Sequence, residues 1–252
     1  MRLSNHSRDR RPRSRVRATA AVGVTLFGAL FGALGAALVA AGPLGAALPG
    51  SDEIAFKVLR GGEPLGHHRV AFRREAGDLH VEIDIDLEVK LAFVTVFRYR
   101  HTNHEVWRDG RLVSIETETN DDGETYWMRG RASDAGLAVE GSSGSFVAPA
   151  DVMPTSYWNA QTVTKSRLLD TQRGRLVDVE IIPAGSETIS VAGEPVEARR
   201  YAVSGDLELD LWYAADGEWA KIAFEARGAE VVYRRLGAPA PSPGVEEAAR
   251  AG

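Results

Sequence analysis

The chain contains no cysteine, so no disulfide can brace a thin core and no thiolate can act as nucleophile or metal ligand. It has no Gly-rich phosphate loop followed by Lys, no G-x-S-x-G elbow and no dinucleotide fingerprint, which removes the commonest routes to nucleotide and acyl chemistry. Residues 18–50 lack any charged side chain. Basic residues are outnumbered by acidic ones beyond the first 17 positions, which alone hold seven arginines against one Asp. Residues 51–252 are left with 23 Lys+Arg against 34 Asp+Glu, a charge of −11, and a surface of that sign is unsuited to nucleic acid. With cross-links absent, stability must come from burial. A hydrophobic content of 44% in 252 residues is sufficient for one large domain or two small ones, and it excludes wholesale disorder.

Arg2, Arg8, Arg10, Arg11, Arg13, Arg15 and Arg17 precede the uncharged run from Ala18 to Gly50. A basic flank that stays cytoplasmic followed by an apolar segment is the pattern of an export signal or an amino-terminal membrane anchor, so residues 1–50 predict a periplasmic or cell-envelope location. Val39-Ala40-Ala41 and Gly45-Ala46-Ala47 supply small residues for cleavage, while Ala20 to Ala41, at about 20 residues, is also long enough to span. Both outcomes stay open, and membrane contact through residues 18–48 follows only if the segment is retained. Residues 237–252 carry three prolines and one large apolar residue, Val245, and read as a disordered tail. The folded unit is expected over residues 52–236.

Within that unit, residues 79–90 place Leu79, Val81, Ile83, Ile85, Leu87 and Val89 against His80, Glu82, Asp84, Asp86, Glu88 and Lys90. Unbroken alternation of period two belongs to a strand with one buried face. The pattern returns around Val177, Leu207 and Ala220, and turn signals such as Ala76-Gly77, Asp109-Gly110 and Asp122-Gly123 separate the runs. About ten to twelve strands in meander order are expected on this pattern. The fold class expected is mainly β, a curved antiparallel sheet or half-barrel. One short helix is placed at Thr155–Leu169, after a loop from Gly141 to Pro154, where Thr155 can cap and Tyr157, Trp158, Val163, Leu168 and Leu169 supply apolar positions.

Functional side chains are densest from Phe97 to Trp107. On a strand, Tyr99, His101, Asn103, Glu105 and Trp107 share one face and Arg98, Arg100, His104 and Arg108 the other. His101-x-x-His104-Glu105 therefore resembles a metal motif only if helical, and no metal site and no cofactor is expected. Asn120-Asp121-Asp122-Gly123 lacks calcium-loop spacing and reads as a turn. Four tryptophans, Trp127, Trp158, Trp212 and Trp219, stand in or near aromatic doublets.

Several stretches together resemble a known family: Phe56-Lys57-Val58-Leu59-Arg60 leading to Gly62, Pro64, Gly66, His67 and His68; Phe97 to His101 with Glu105 and Trp107; Ser156-Tyr157-Trp158-Asn159; Leu168 to Gln172 with Gly174; and Leu211-Trp212-Tyr213 with Trp219. They are similar in content and order to an exported bacterial family, domain-of-unknown-function family 6134. The resemblance spans Ile54 to Leu236 and implies no activity. Ala214 departs from the acidic residue expected after Leu211-Trp212-Tyr213, which weakens a role for that turn. By strand order and the mid-chain helix the family is in turn similar to half-barrel envelope proteins such as the LolA-type lipoprotein carriers, an analogy of fold alone.

The expectation is thus an envelope protein that binds a lipid or other apolar molecule in the concave face of a half-barrel. Tyr99, Trp107, Trp158 and Trp212 would line the cavity, and His101, Glu105 and Asn159 would hold a head group. Two alternatives remain: a hydrolase-like enzyme built on His101 and Glu105, and a structural assembly protein acting through its acidic face. The sequence names no catalytic residue, leans away from catalysis and leaves the oligomeric state open.

Overall fold

The computed structural model describes residues 51–237 apart from position 92, so the export or anchor segment at 1–50 and all but Gly237 of the expected tail lie outside the described residues. Fifteen strands follow one another: β1 (Glu53–Arg60), β2 (Glu63–Glu75), β3 (Asp78–Leu91), β4 (Val94–Arg108), β5 (Arg111–Asp121), β6 (Glu124–Ser133), β7 (Gly136–Gly141), β8 (Gly144–Ala148), β9 (Met153–Pro154), β10 (Arg167–Asp170), β11 (Arg175–Val191), β12 (Glu194–Gly205), β13 (Leu209–Ala214), β14 (Trp219–Ala226) and β15 (Ala229–Arg235). They form one sheet in the order β8-β7-β6-β5-β4-β3-β2-β1-β15-β14-β13-β12-β11-β10-β9. Every pair is antiparallel except β9 with β10.

Two-residue turns explain the meander. Ala76-Gly77, Asp109-Gly110, Asp122-Gly123, Ala192-Gly193 and Arg227-Gly228 each have positive φ at both positions, the conformation whose twist matches the flanking strands of a hairpin. Ala192-Gly193 and Arg227-Gly228, like Ala76-Gly77, carry no Asn or Asp, so Gly is the one turn residue each pair shows in the sequence.

Two expectations fail. The sheet is open: β8 and β9 are free edges with no ladder between them, and it does not close or curl into the expected half-barrel. The mid-chain helix is also absent. Between β9 and β10 only a five-residue 3-10 turn, Ala160–Thr164, is helical. Local chemistry accounts for this. Tyr157 sits at φ 59, outside the helical region, and the Asn159 side-chain Oδ1 accepts from the Gln161 N–H, starting a new turn there. That turn contains the β-branched Thr162, Val163 and Thr164, and the chain is extended again at Lys165. Residues 152–160 are nonetheless all buried, because this irregular segment packs on the apolar face of the sheet.

Candidate functional site

Strand β4 keeps the expected parity: His101, Asn103, Glu105 and Trp107 are buried while Arg98, Arg100, Thr102 and Arg108 are exposed. The buried row is polar, an unusual content for a core face. Its centre is Glu105, fully buried. Its Oε1 accepts from the Asn103 side-chain amide at 2.8 Å, and its Oε2 accepts from the Trp107 indole at 2.8 Å and the Trp158 indole at 2.9 Å. Burial pushes the carboxyl up, and the donors, Trp158 first, pull it back. Trp158 stands edge-on to Trp107 at 5.3 Å and to Phe72 of β2 at 5.4 Å. The Glu105 carboxylate thus clamps the irregular segment to β4.

His101 is tied in the same way. Its Nδ1 lies 2.9 Å from the Thr119 hydroxyl on β5, its register partner, and Nε2 lies 3.5 Å from the Thr171 hydroxyl. Burial lowers its basicity to about 4, so it is neutral near pH 7. His101 and Glu105, four residues apart along one strand, are about 13 Å apart in chain path and form no acid–base dyad.

Six of the seven expected ligand residues therefore serve packing. Trp107, Trp158 and Glu105 contact one another, His101 bonds threonines, and Asn159 caps the short turn. Trp212 belongs to a separate small cluster with Ala198, Ala220 and Ala223, and its indole donates to Glu187. Arg200 and Lys221 lie over its ring, at 5.5 Å and 4.1 Å. The open sheet and the packed face overturn the expected half-barrel lipid pocket.

Tyr99 borders open space. It lines a cleft of about 490 Å³ with Leu65, Ile85, Leu87, Phe224 and Tyr233, and Arg60, Val96, Phe97, Asp121, Gln172 and Arg227 also border it. Its buried hydroxyl has no hydrogen-bond partner. Burial, with Tyr233 adding to it, raises the phenol well above its ordinary value, so it stays a neutral donor. Behind Tyr233, at 5.5 Å between ring centroids, lies His68, with Phe56 and Trp219 also against it. Both its ring nitrogens are buried without partners, and burial, helped by His101, drives its basicity down to about 3. The sequence signal for so deep a histidine is Phe56 on the neighbouring strand, the register partner of His68.

The sequence profile of the domain of unknown function DUF6134 matches residues 56–236. The chain belongs to the DUF6134 family. Among solved structures it is similar to the beta-barrel-like protein of domain of unknown function DUF1849 from Brucella abortus, with a TM-score of 0.52 at 11% identity, covering 73% of this chain and 95% of that one. At that identity the likeness concerns the fold alone. No curated protein matches. Neither likeness supports the link to LolA-type carriers drawn from strand order.

Proposed function

We propose that this DUF6134 protein is a recognition module that holds a polypeptide partner at the β3–β4 end of the sheet. One observation carries the reading. Phe93, Val94 and Val96, at the tip of the β3–β4 hairpin, are 101%, 65% and 52% exposed, and they adjoin the apolar cleft that Val96, Phe97 and Tyr99 line. Clustered exposed apolar side chains mark interaction surfaces. A small molecule seated in the cleft would leave Phe93 and Val94 in water, whereas a polypeptide can insert one large apolar side chain and cover both. Arg227, whose guanidinium lies 4.8 Å from the Phe97 ring centroid, favours a carboxylate next to that anchor. The basic flank and uncharged run of residues 1–50 support export, so the partner would be met outside the cytoplasm.

Peptide display against the full chain tests this. Selected peptides should share a large apolar residue beside an acid. Their affinity, read by fluorescence anisotropy, should fall at least tenfold with Val96→Asp and severalfold with Phe93→Ser. Val147→Asp, at an exposed site on the β8 edge, should leave it unchanged. Equal affinity in all three variants, or a small molecule retained in the cleft through native mass spectrometry, overturns the reading.

A further inference from the structure

On the face opposite the core, His80 of β3 and His104 of β4 meet. His80 Nδ1 lies 3.2 Å from His104 Nε2. The ring centroids are 5.5 Å apart and the ring planes differ by 19°, so the rings lie side by side with the facing nitrogens between them. The contact is built by register: His80 is opposite Val106 and diagonal to His104, within reach for long or aromatic side chains across an antiparallel pair. Both rings are half-buried, and both residues stand within paired strands.

We propose that His80 and His104 form a two-nitrogen site for a divalent transition metal, Cu(II) foremost, with Glu82 as the third protein ligand. Two imidazole nitrogens that share one metal at about 2.0–2.1 Å sit roughly 3 Å from each other, the separation already present here. The proton now held between the rings moves to the remote nitrogen of its own ring, leaving both facing lone pairs free, and each ring turns toward a common apex. Glu82 is placed to complete the site. It lies two residues from His80 on the same face of β3 and is the register partner of His104. Glu116, the partner of His104 on β5, is engaged by Arg129 at 2.8 Å and leaves Glu82 the freer carboxylate. A groove of about 410 Å³ bordered by Glu82, His104 and Glu116 gives access to water, which fills the remaining positions. As the side chains stand, no three His, Asp or Glu groups converge among the described residues, so binding includes a rotamer change at Glu82. Imidazole with carboxylate favours Cu(II) over Zn(II) in the general affinity order of divalent ions.

The site is separate from the cleft, and its test does not depend on the partner. Cu(II) is titrated by calorimetry into the full chain carrying His6→Ala, which removes the histidine near the amino terminus, with electron paramagnetic resonance to count nitrogen ligands. One ion per chain with two imidazole nitrogens is expected. His80→Ala and His104→Ala should each weaken binding tenfold or more, and Glu82→Gln severalfold. His67→Ala, which loses only an exposed contact to Asp84, should not change it. All four side chains point away from the core, and matching circular dichroism will show that the variants fold. Undiminished affinity in either His80→Ala or His104→Ala, or a spectrum with fewer than two nitrogens, overturns the assignment.

Discussion

Replacing Glu105 is the sharpest test of how this core is held together. In Glu105→Ala, the Asn103 amide and the Trp107 and Trp158 indoles, at 2.8, 2.8 and 2.9 Å from the carboxylate, all lose their acceptor inside a face that water does not reach. Each orphaned donor costs about 1–3 kcal/mol, so the three together cost roughly 3–9 kcal/mol before any cavity is counted. Against a net stability of about 5–15 kcal/mol for a typical domain, that loss is large enough to leave much of the chain unfolded. Glu105→Gln should behave very differently. Its carbonyl oxygen can take both indoles, and its amide then needs an acceptor where the Asn103 amide now donates. Asn103 can provide one by turning over, because its Oδ1 has no partner at present. A cost below about 2 kcal/mol is expected for Gln, since only the charge assistance of the bonds is lost. Equilibrium urea unfolding followed by tryptophan fluorescence reads both variants. An Ala variant within about 1 kcal/mol of the parent, or Gln as damaging as Ala, would refute the clamp.

Two further predictions concern the fold's other unusual positions. His68 has a folded-state basicity of about 3 against an ordinary 6.5, so between those values the unfolded chain binds a proton that the folded chain does not. Stability should fall as pH drops from about 6.5 toward 3, with a slope near 1.4 kcal/mol per pH unit for this proton. His101, at about 4, adds a second proton over a narrower window. His68→Phe should remove one proton's worth of the slope and, by relieving two unpartnered nitrogens, raise stability at pH 7 by about 1 kcal/mol or more. Unfolding midpoints at pH 4.5 and 7 decide it, and an unchanged slope counts against the buried neutral ring. Gly66→Ala would set a Cβ 2.0 Å from the Asp86 carbonyl oxygen, beside the irregularity between Val58 and Leu59, and should cost about 3 kcal/mol or more. Gly123→Ala meets nothing within 4 Å and pays only for its φ of +100°, about 1–2 kcal/mol. Thermal denaturation that ranks these two variants the other way would contradict the steric argument.

The strands were legible where one face was uniformly apolar. β3 alternates from Leu79 to Val89 without an error, and the turn that leads into it carries Gly77 after Ala76. A helix is expected over Thr155–Leu169 and is not found there, because a helix and a buried irregular segment both require aromatic and aliphatic side chains at close spacing. What separates them is backbone chemistry, namely Tyr157 at positive φ and Asn159 capping a single turn. The openness of the sheet was not legible. Closure depends on whether β8 and β9 pair, and β9 is the two residues Met153–Pro154, too short for any periodic signal. The functional side chains of β4 were found and assigned the right faces. Their role was not, because hydrogen-bond saturation by Trp158 and Thr171 comes from residues 53 and 70 positions away.

The polar content of β4 has a further physical use. Strand pairing is normally set by hydrophobic alternation, since a slip of one residue would turn the apolar set to solvent. In β4 that device is weak: Arg98, Arg100, Thr102 and His104 lie on one face and Tyr99, His101, Asn103 and Glu105 on the other, so either face tolerates water. Pairwise bonds supply the missing specification. His101 stands opposite Thr119 of β5 and bonds it, and Glu105 on β4 gathers the Trp107 and Asn103 side chains of its own strand with Trp158. Shifting β4 by one residue would break the bonds to Thr119 and Trp158 and bury Arg100, Thr102 and His104 without partners, a penalty far above that of a lost apolar contact. A row of buried polar residues on a strand, which at first invites a catalytic reading, here ties β4 in register to β5 and seats residues 152–160 on the sheet.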